Sequence, residues 1–78
     1  QHNLQAAKLA GHKAPLTEIK IHIFTWALDA TMSEIEAVIE DEMAELNQMV
    51  TTATAREITQ QATLVQALRT AQTIRTYA

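Results

Sequence analysis

Apolar residues recur at helical spacing along the middle of the chain. After Ser33 they occupy positions 35, 39, 43, 46, 50 and 53, and these steps of four and three residues place them on one helix face. Ser33 and Glu36 have the Ser-x-x-Glu spacing of a capping box, in which each side chain bonds the backbone amide of the other residue. The pattern therefore predicts an acidic helix over residues 33–51.

A second apolar stripe follows in a shifted phase. Its members lie at positions 58, 62, 65, 68 and 71, whereas continuation of the first stripe would place Glu57 inside. Thr54 and Glu57 form another capping box, which predicts a helix N-terminus at this point. We expect a helix rich in Thr and Gln over residues 54–77, preceded by a break between Thr51 and Thr54.

Two arrangements of these helices fit the pattern. The break contains no Gly or Pro, so it is either a turn between antiparallel helices or a phase shift within one long helix. Residues 31–50 hold six acidic and no basic residues, and residues 51–78 hold three Arg and one Glu. Opposite charges on neighbouring helices favour the antiparallel hairpin, which we predict.

A chain that turns near residue 53 would bring particular charges together. Arg69 would lie beside Glu36 and Glu40, and Arg75 would lie beside Glu34. Exposed ion pairs of this kind contribute only about 0.2 to 1 kcal/mol each. They therefore select the arrangement more than they stabilise it.

Residues 16–30 carry a mixed signal. The segment from Ile19 to Ile23 alternates apolar and polar residues and is rich in β-branched side chains, as strands are. Because no partner strand is visible elsewhere, a strand here would have to pair across a dimer, as in the ribbon-helix-helix family. About 30 residues separate Phe24 from Thr54, too many for the compact two-helix spacing of that family. We predict a helix over residues 16–30.

The first 15 residues are predicted to form a short helix and a connector. Asn3 is a suitable N-cap, and Gly11 stands where a helix over residues 3–10 would stop. The segment from Gln5 to Gly11 also resembles the first helix and turn of a helix-turn-helix unit. That resemblance implies a nucleic-acid-binding regulator as the alternative function.

Two features count against nucleic acid as the partner. The chain has a net charge of −3 and an isoelectric point near 5.5, whereas nucleic-acid binding needs a basic surface. Residues 1–30, which would carry such a function, have a balance of only +1. In addition, Ile19, Ile23 and Trp26 stand where a recognition helix would present polar groups to base edges.

Composition is typical of a small helical assembly. The apolar residues comprise 14 Ala and 23 larger side chains, so the core must be thin. One Gly and one Pro are too few for a fold of strands and tight turns. Without Cys, a 78-residue domain depends on helix packing and oligomerisation for its stability. No apolar run reaches the length of about 18 residues that a membrane span needs.

Residues that carry chemistry in proteins are few and scattered. Glu18 and His22 are four positions apart and, with His2 or His12, are the candidate metal ligands. The paired carboxylates of the acidic helix accompany no nucleophile and no nearby His, and one Gly leaves no phosphate-binding loop. We therefore expect no metal, no cofactor, no small-molecule substrate and no enzymatic activity.

The sequence as a whole predicts an all-α domain over residues 1–78. We expect a small bundle of three to four helices that ends in an antiparallel helical hairpin and forms oligomers. It would act as a protein–protein interaction or assembly module, with a second copy or another helical chain as partner. Leu46 should lie in the middle of the contact stripe and Glu42 off it. The expected interface residues are the larger apolar members of these helix faces: Ile23, Trp26, Ile35, Ile39, Met43, Leu46, Val50, Ile58, Val65 and Leu68.

Overall fold

Three α-helices account for most of the described chain. The computed structural model describes residues 16–77, of which 89% are helical and none lie in a strand. The helices are α1 (Leu16–Asp29), α2 (Met32–Met49) and α3 (Ala55–Tyr77). The predicted all-α class is confirmed. The short helix expected over residues 3–10 lies outside the described residues.

The segment whose alternation resembled a strand is helical and lies within α1. Ile19 and Ile23, one turn apart, are buried, whereas Ile21 is exposed on another side of the helix. The strand alternative is therefore wrong for residues 19–23. Alternation over five residues fits a helix equally well when the helix is apolar on two faces.

The N-terminus of α2 is capped by Thr31 and not, as expected, by Ser33. The Glu34 backbone N–H donates to Thr31 Oγ1 at 3.1 Å, and the Thr31 backbone N–H donates to Glu34 Oε1 at 2.8 Å. Both residues stand three positions before a Glu, so the sequence offers this spacing twice. The chain uses the earlier pair, directly where it leaves α1.

The helix is interrupted at residues 50–54, where the sequence predicted a break. The backbone N–H of Ala53 donates to the Met49 carbonyl oxygen at 2.9 Å, which closes the last turn of α2. As predicted, Thr54 then caps α3: the Glu57 backbone N–H donates to Thr54 Oγ1 at 3.2 Å, and Glu57 Oε1 accepts from the Thr54 backbone N–H at 3.0 Å. One continuous helix from residue 33 to the end is therefore not formed.

The core lies where α3 packs against both α1 and α2. Ile23, Ile35 and Leu68, one from each helix, are fully buried. Each side chain of this size stabilises the fold by about 1.5 to 3 kcal/mol when it leaves water. Ala67 and Ala71 of α3 are also buried, and their small side chains let a neighbouring helix approach closely. The core thus combines a few large apolar side chains from all three helices with small alanines.

Candidate functional site

The ten apolar residues expected at an interface fall into two groups. Met43 and Val50 are exposed to 40% and 57%, and Leu46 and Ile58 are partly buried. The other six lie in the core of the chain and are not on its surface, because packing between its own helices already covers them. These six are Ile23, Trp26, Ile35, Ile39, Val65 and Leu68.

An apolar groove runs between α1 and the C-terminal half of α3. It encloses about 170 Å³ and is lined almost wholly by apolar atoms. Leu28 on one wall and Ile74 on the other are 76% and 56% exposed. We call this surface the α1–α3 groove, with its lining residues Phe24, Ala27, Leu28, Ala71, Ile74 and Arg75.

Phe24 and Leu28, which line the groove on α1, belong to a second apolar stripe that the sequence reasoning missed. Ile21, Phe24 and Leu28 are spaced by three and four residues and so share one helix face. Ile21 is 58% exposed and Phe24 is partly buried. The signal was present in the sequence as these two spacings, but the inward-facing stripe that contains Ile23 and Trp26 overlaps it.

Arg75 closes one end of the groove. Its Nη1 donates to the Ala27 carbonyl oxygen at 2.8 Å and also to the carbonyl oxygen of Ala30. Carbonyl groups at a helix C-terminus lack partners within the helix and carry a partial negative charge, so a guanidinium group suits this position. The expected neighbour, Glu34, forms no ion pair with Arg75 in the described structure.

The acidic side of α2 forms a different kind of surface. Glu36, Ile39 and Glu40 line an open pocket of about 390 Å³ together with Gln72 of α3. Within residues 16–77, no ion pair joins Arg69 to either of these glutamates. Glu36 and Glu40 belong to a row of five exposed residues at steps of four and three, which runs along α2 and ends at its C-cap residue, Val50. We call them the outer stripe: Glu36, Glu40, Met43, Asn47 and Val50.

Glu42 is buried, contrary to the expectation that it lies off the stripe. It is 6% exposed, as is Gln61, whose Nε2 donates to the Glu42 carbonyl oxygen at 2.8 Å and to Glu42 Oε1 at 3.0 Å. The physical reason is spacing, because residue 42 follows Ile35 and Ile39 at steps of seven and three and therefore shares their face.

Of the candidate metal ligands, Glu18 and His22 are among the described residues. His22 Nε2 lies 3.8 Å from Glu18 Oε1 across one turn of α1, and His2 and His12 lie outside the described residues. The described part of the chain contains no group of three or more His, Cys, Asp or Glu residues with the geometry to hold a metal ion.

Two further expectations from the sequence concern a helix-turn-helix unit and membrane spans. The helix-turn-helix resemblance rested on residues 5–11, which are not among those described, and α1 buries Ile19, Ile23 and Trp26 in the core. None of the helices described combines the length and the apolar character needed to cross a membrane.

Comparisons of the chain with protein-family models, with curated proteins and with solved structures found no match.

Proposed function

We propose that this protein is a non-enzymatic interaction module whose contact surface is the α1–α3 groove. The observation that carries the proposal is the exposure of large apolar side chains along both walls, with Leu28 and Ile74 more than half exposed. Exposed apolar patches with polar rims are typical of protein contact sites. Covering Leu28 and Ile74 would remove apolar area from water, which drives association.

The partner that fits this groove is an amphipathic helix with acidic residues beside its apolar positions. Grooves between two helices accept helices through anchors spaced by three, four and seven residues. Arg75 is the charged residue among those that line the groove, and it is basic. Acidic groups on the partner would be drawn to Arg75 and would fix the orientation of the partner.

We further infer that α2 and α3 form an antiparallel hairpin that supports the groove. Two contacts support this inference: Gln61 of α3 bonds Glu42, and Gln72, eleven positions later, lies beside Glu36, an earlier position of α2. Higher numbers on one helix thus meet lower numbers on the other. The hairpin would hold α3 rigidly, so that Ile74 stays opposite Leu28.

Photo-crosslinking in the cells that naturally produce the protein tests the proposal. A benzophenone amino acid at Leu28 should give covalent adducts, because the side chain would lie inside the contact. The same group at Thr73, an exposed residue on the outer side of α3, is the matched control and should give few.

The position of the adduct decides the result. Mass spectrometry should place the link on an apolar residue of a partner helix that has acidic residues within one turn. Adducts of equal abundance from both positions, or links scattered over unrelated surfaces, would contradict the proposed function.

A further inference from the structure

Two exposed surfaces of this chain match one another in spacing. On the α1 stripe that contributes Phe24 and Leu28 to the groove, Ile21 and Leu28 are seven residues apart, a distance of about 10 Å along a helix. On the outer stripe of α2, Met43 and Val50 have the same separation, and both are exposed. Side chains with equal spacing on two helices can interdigitate along their length.

The two surfaces are also complementary in charge. Arg75 is the charged residue that lines the groove, whereas Glu36 and Glu40 form the N-terminal part of the outer stripe. Two grooves placed face to face would offer neither Arg75 an acidic lining residue. Electrostatics therefore favours contact between a groove and a stripe over contact between two grooves.

One chain cannot join its own two surfaces. Gln72 borders the pocket on the α2 side of α3, and Ile74 lines the groove on the α1 side. At 3.6 residues per turn, two positions on a helix differ by about 200°. The groove and the stripe therefore face nearly opposite directions, and only a second molecule can bring them into contact.

We propose that the α1–α3 groove of one copy binds the outer stripe of a second copy, so that chains associate head to tail. This inference rests on the proposed function and names the partner helix as α2 of another copy. A contact between different surfaces leaves one groove and one stripe free at the ends of every dimer. Assembly then continues until a ring closes, or it grows into an open chain.

Sedimentation of two single variants tests the two surfaces separately. Leu28→Glu places an acid in the groove, where it would repel Glu36 and Glu40 of the next copy. Met43→Lys places a base in the stripe, where it would repel Arg75. We expect the wild-type chain of 8.7 kDa to form species larger than a dimer as its concentration rises. Each variant should weaken self-association by on the order of tenfold or more.

Matched controls separate a surface effect from a folding effect. Ala44→Lys adds the same charge at the exposed position next to Met43, and Thr73→Glu adds a carboxylate on the outer side of α3. Both controls should associate as the wild type does. All four variants should keep the circular dichroism spectrum and melting temperature of the wild type under conditions where it is monomeric, because each replaced side chain is exposed.

A mixture of the two interface variants gives the decisive result. Leu28→Glu retains an intact stripe and Met43→Lys retains an intact groove, so together they should form a dimer that does not grow further. A symmetric groove-to-groove dimer predicts instead that Met43→Lys associates normally and that the mixture gives no new dimer.

Three results would overturn the head-to-tail proposal. They are a wild-type chain that stays monomeric at millimolar concentration, normal association of Met43→Lys, and a mixture that remains monomeric. A monomeric chain whose Leu28 position crosslinks to a helix of another protein would remove this inference and leave the proposed function intact.

Discussion

Gln61 of α3 donates through Nε2 to two oxygen atoms of Glu42 on α2, the main-chain carbonyl at 2.8 Å and the side-chain Oε1 at 3.0 Å. Both residues are only 6% exposed, so this polar contact lies between the helices. A buried donor or acceptor that lacks a hydrogen-bond partner destabilises the fold. The bond between Gln61 and Glu42 therefore favours the one register of α2 and α3 in which these two residues meet.

We expect Gln61→Leu to lower the free energy of unfolding by about 1 to 3 kcal/mol, because it removes the donor to a buried carboxylate oxygen. In a domain of this size, each 1 kcal/mol corresponds to roughly 4 to 8 °C in melting temperature. Thermal and urea denaturation measure both quantities. Gln66→Leu, at an exposed position of the same helix, should change stability by less than about 0.5 kcal/mol.

The conservative variant Glu42→Gln completes this test. Its amide oxygen still accepts from Gln61 Nε2, so it should retain more stability than Gln61→Leu. Equal stability of Gln61→Leu and wild type would show that this contact does not set the helix register.

Removal of the Arg75 guanidinium should destabilise the C-terminal end of α1. Arg75→Ala leaves the carbonyl oxygens of Ala27 and Ala30 without this donor, at a cost of about 1 to 2 kcal/mol. Hydrogen exchange of the amides in the last turn of α1 should accelerate in this variant. Arg69→Ala, also on α3 and exposed, should leave that exchange unchanged, and the same rate in both variants would contradict the assignment.

The core and the groove should respond differently to the same kind of truncation. Leu68→Ala opens a cavity among fully buried side chains and should cost about 2 to 5 kcal/mol in unfolding free energy. Ile74→Ala, six positions later on the same helix, removes a side chain that is 56% exposed and should cost about 1 kcal/mol or less. Urea unfolding of both variants provides the comparison. Similar losses would mean that Ile74 belongs to the core.

The features that sequence reasoning predicted well are local. The helices expected over residues 16–30, 33–51 and 54–77 are found as Leu16–Asp29, Met32–Met49 and Ala55–Tyr77. Apolar spacing and capping boxes depend on residues within one or two turns, so the linear sequence displays them directly. The sequence alone does not decide between two equally spaced caps, Thr31 and Ser33, because this choice depends on how the chain folds.

The features that it missed depend on contacts between distant residues. Arg75 bonds a carbonyl 48 positions away, and only the docking of α3 beside α1 brings the two together. Glu42 was expected off the contact stripe, although its position on the helix is that of a buried residue and Gln61 of α3 donates to it. Which of the two apolar stripes of α1 faces the core was likewise decided by packing.

Spin labels at Glu36 and Arg69 test the inferred hairpin. Both positions are exposed, and in packed antiparallel helices the labels should lie about 10 Å apart. One continuous helix would separate them by roughly 50 Å. Dilution with unlabelled chain removes contacts between copies. Labels at Glu36 and Gln48, both on α2, provide an internal reference of about 18 Å.

The cap of α2 should make stability depend on acid. The Thr31 backbone N–H donates to the Glu34 carboxylate and lowers its pKa below the ordinary value of 4.5, and the Thr31 side chain lowers the pKa to a lesser extent. A carboxyl with a depressed pKa stabilises the fold fully above its unfolded pKa, and this contribution is lost as pH falls through the folded pKa. The melting temperature should therefore decline as pH falls below about 4.5, and Glu34→Gln should remove this part of the decline.

Carboxyl titration by NMR locates the effect at the cap itself. Thr31→Ala removes the hydroxyl and loosens the turn that holds the backbone N–H, so the pKa of Glu34 should rise towards 4.5. Ser33→Ala is the matched control, because the side chain of Thr31 and not that of Ser33 caps the helix. If Ser33→Ala raised the pKa of Glu34 as much as Thr31→Ala does, the capping box would belong to the later pair and α2 would begin two residues further along the chain.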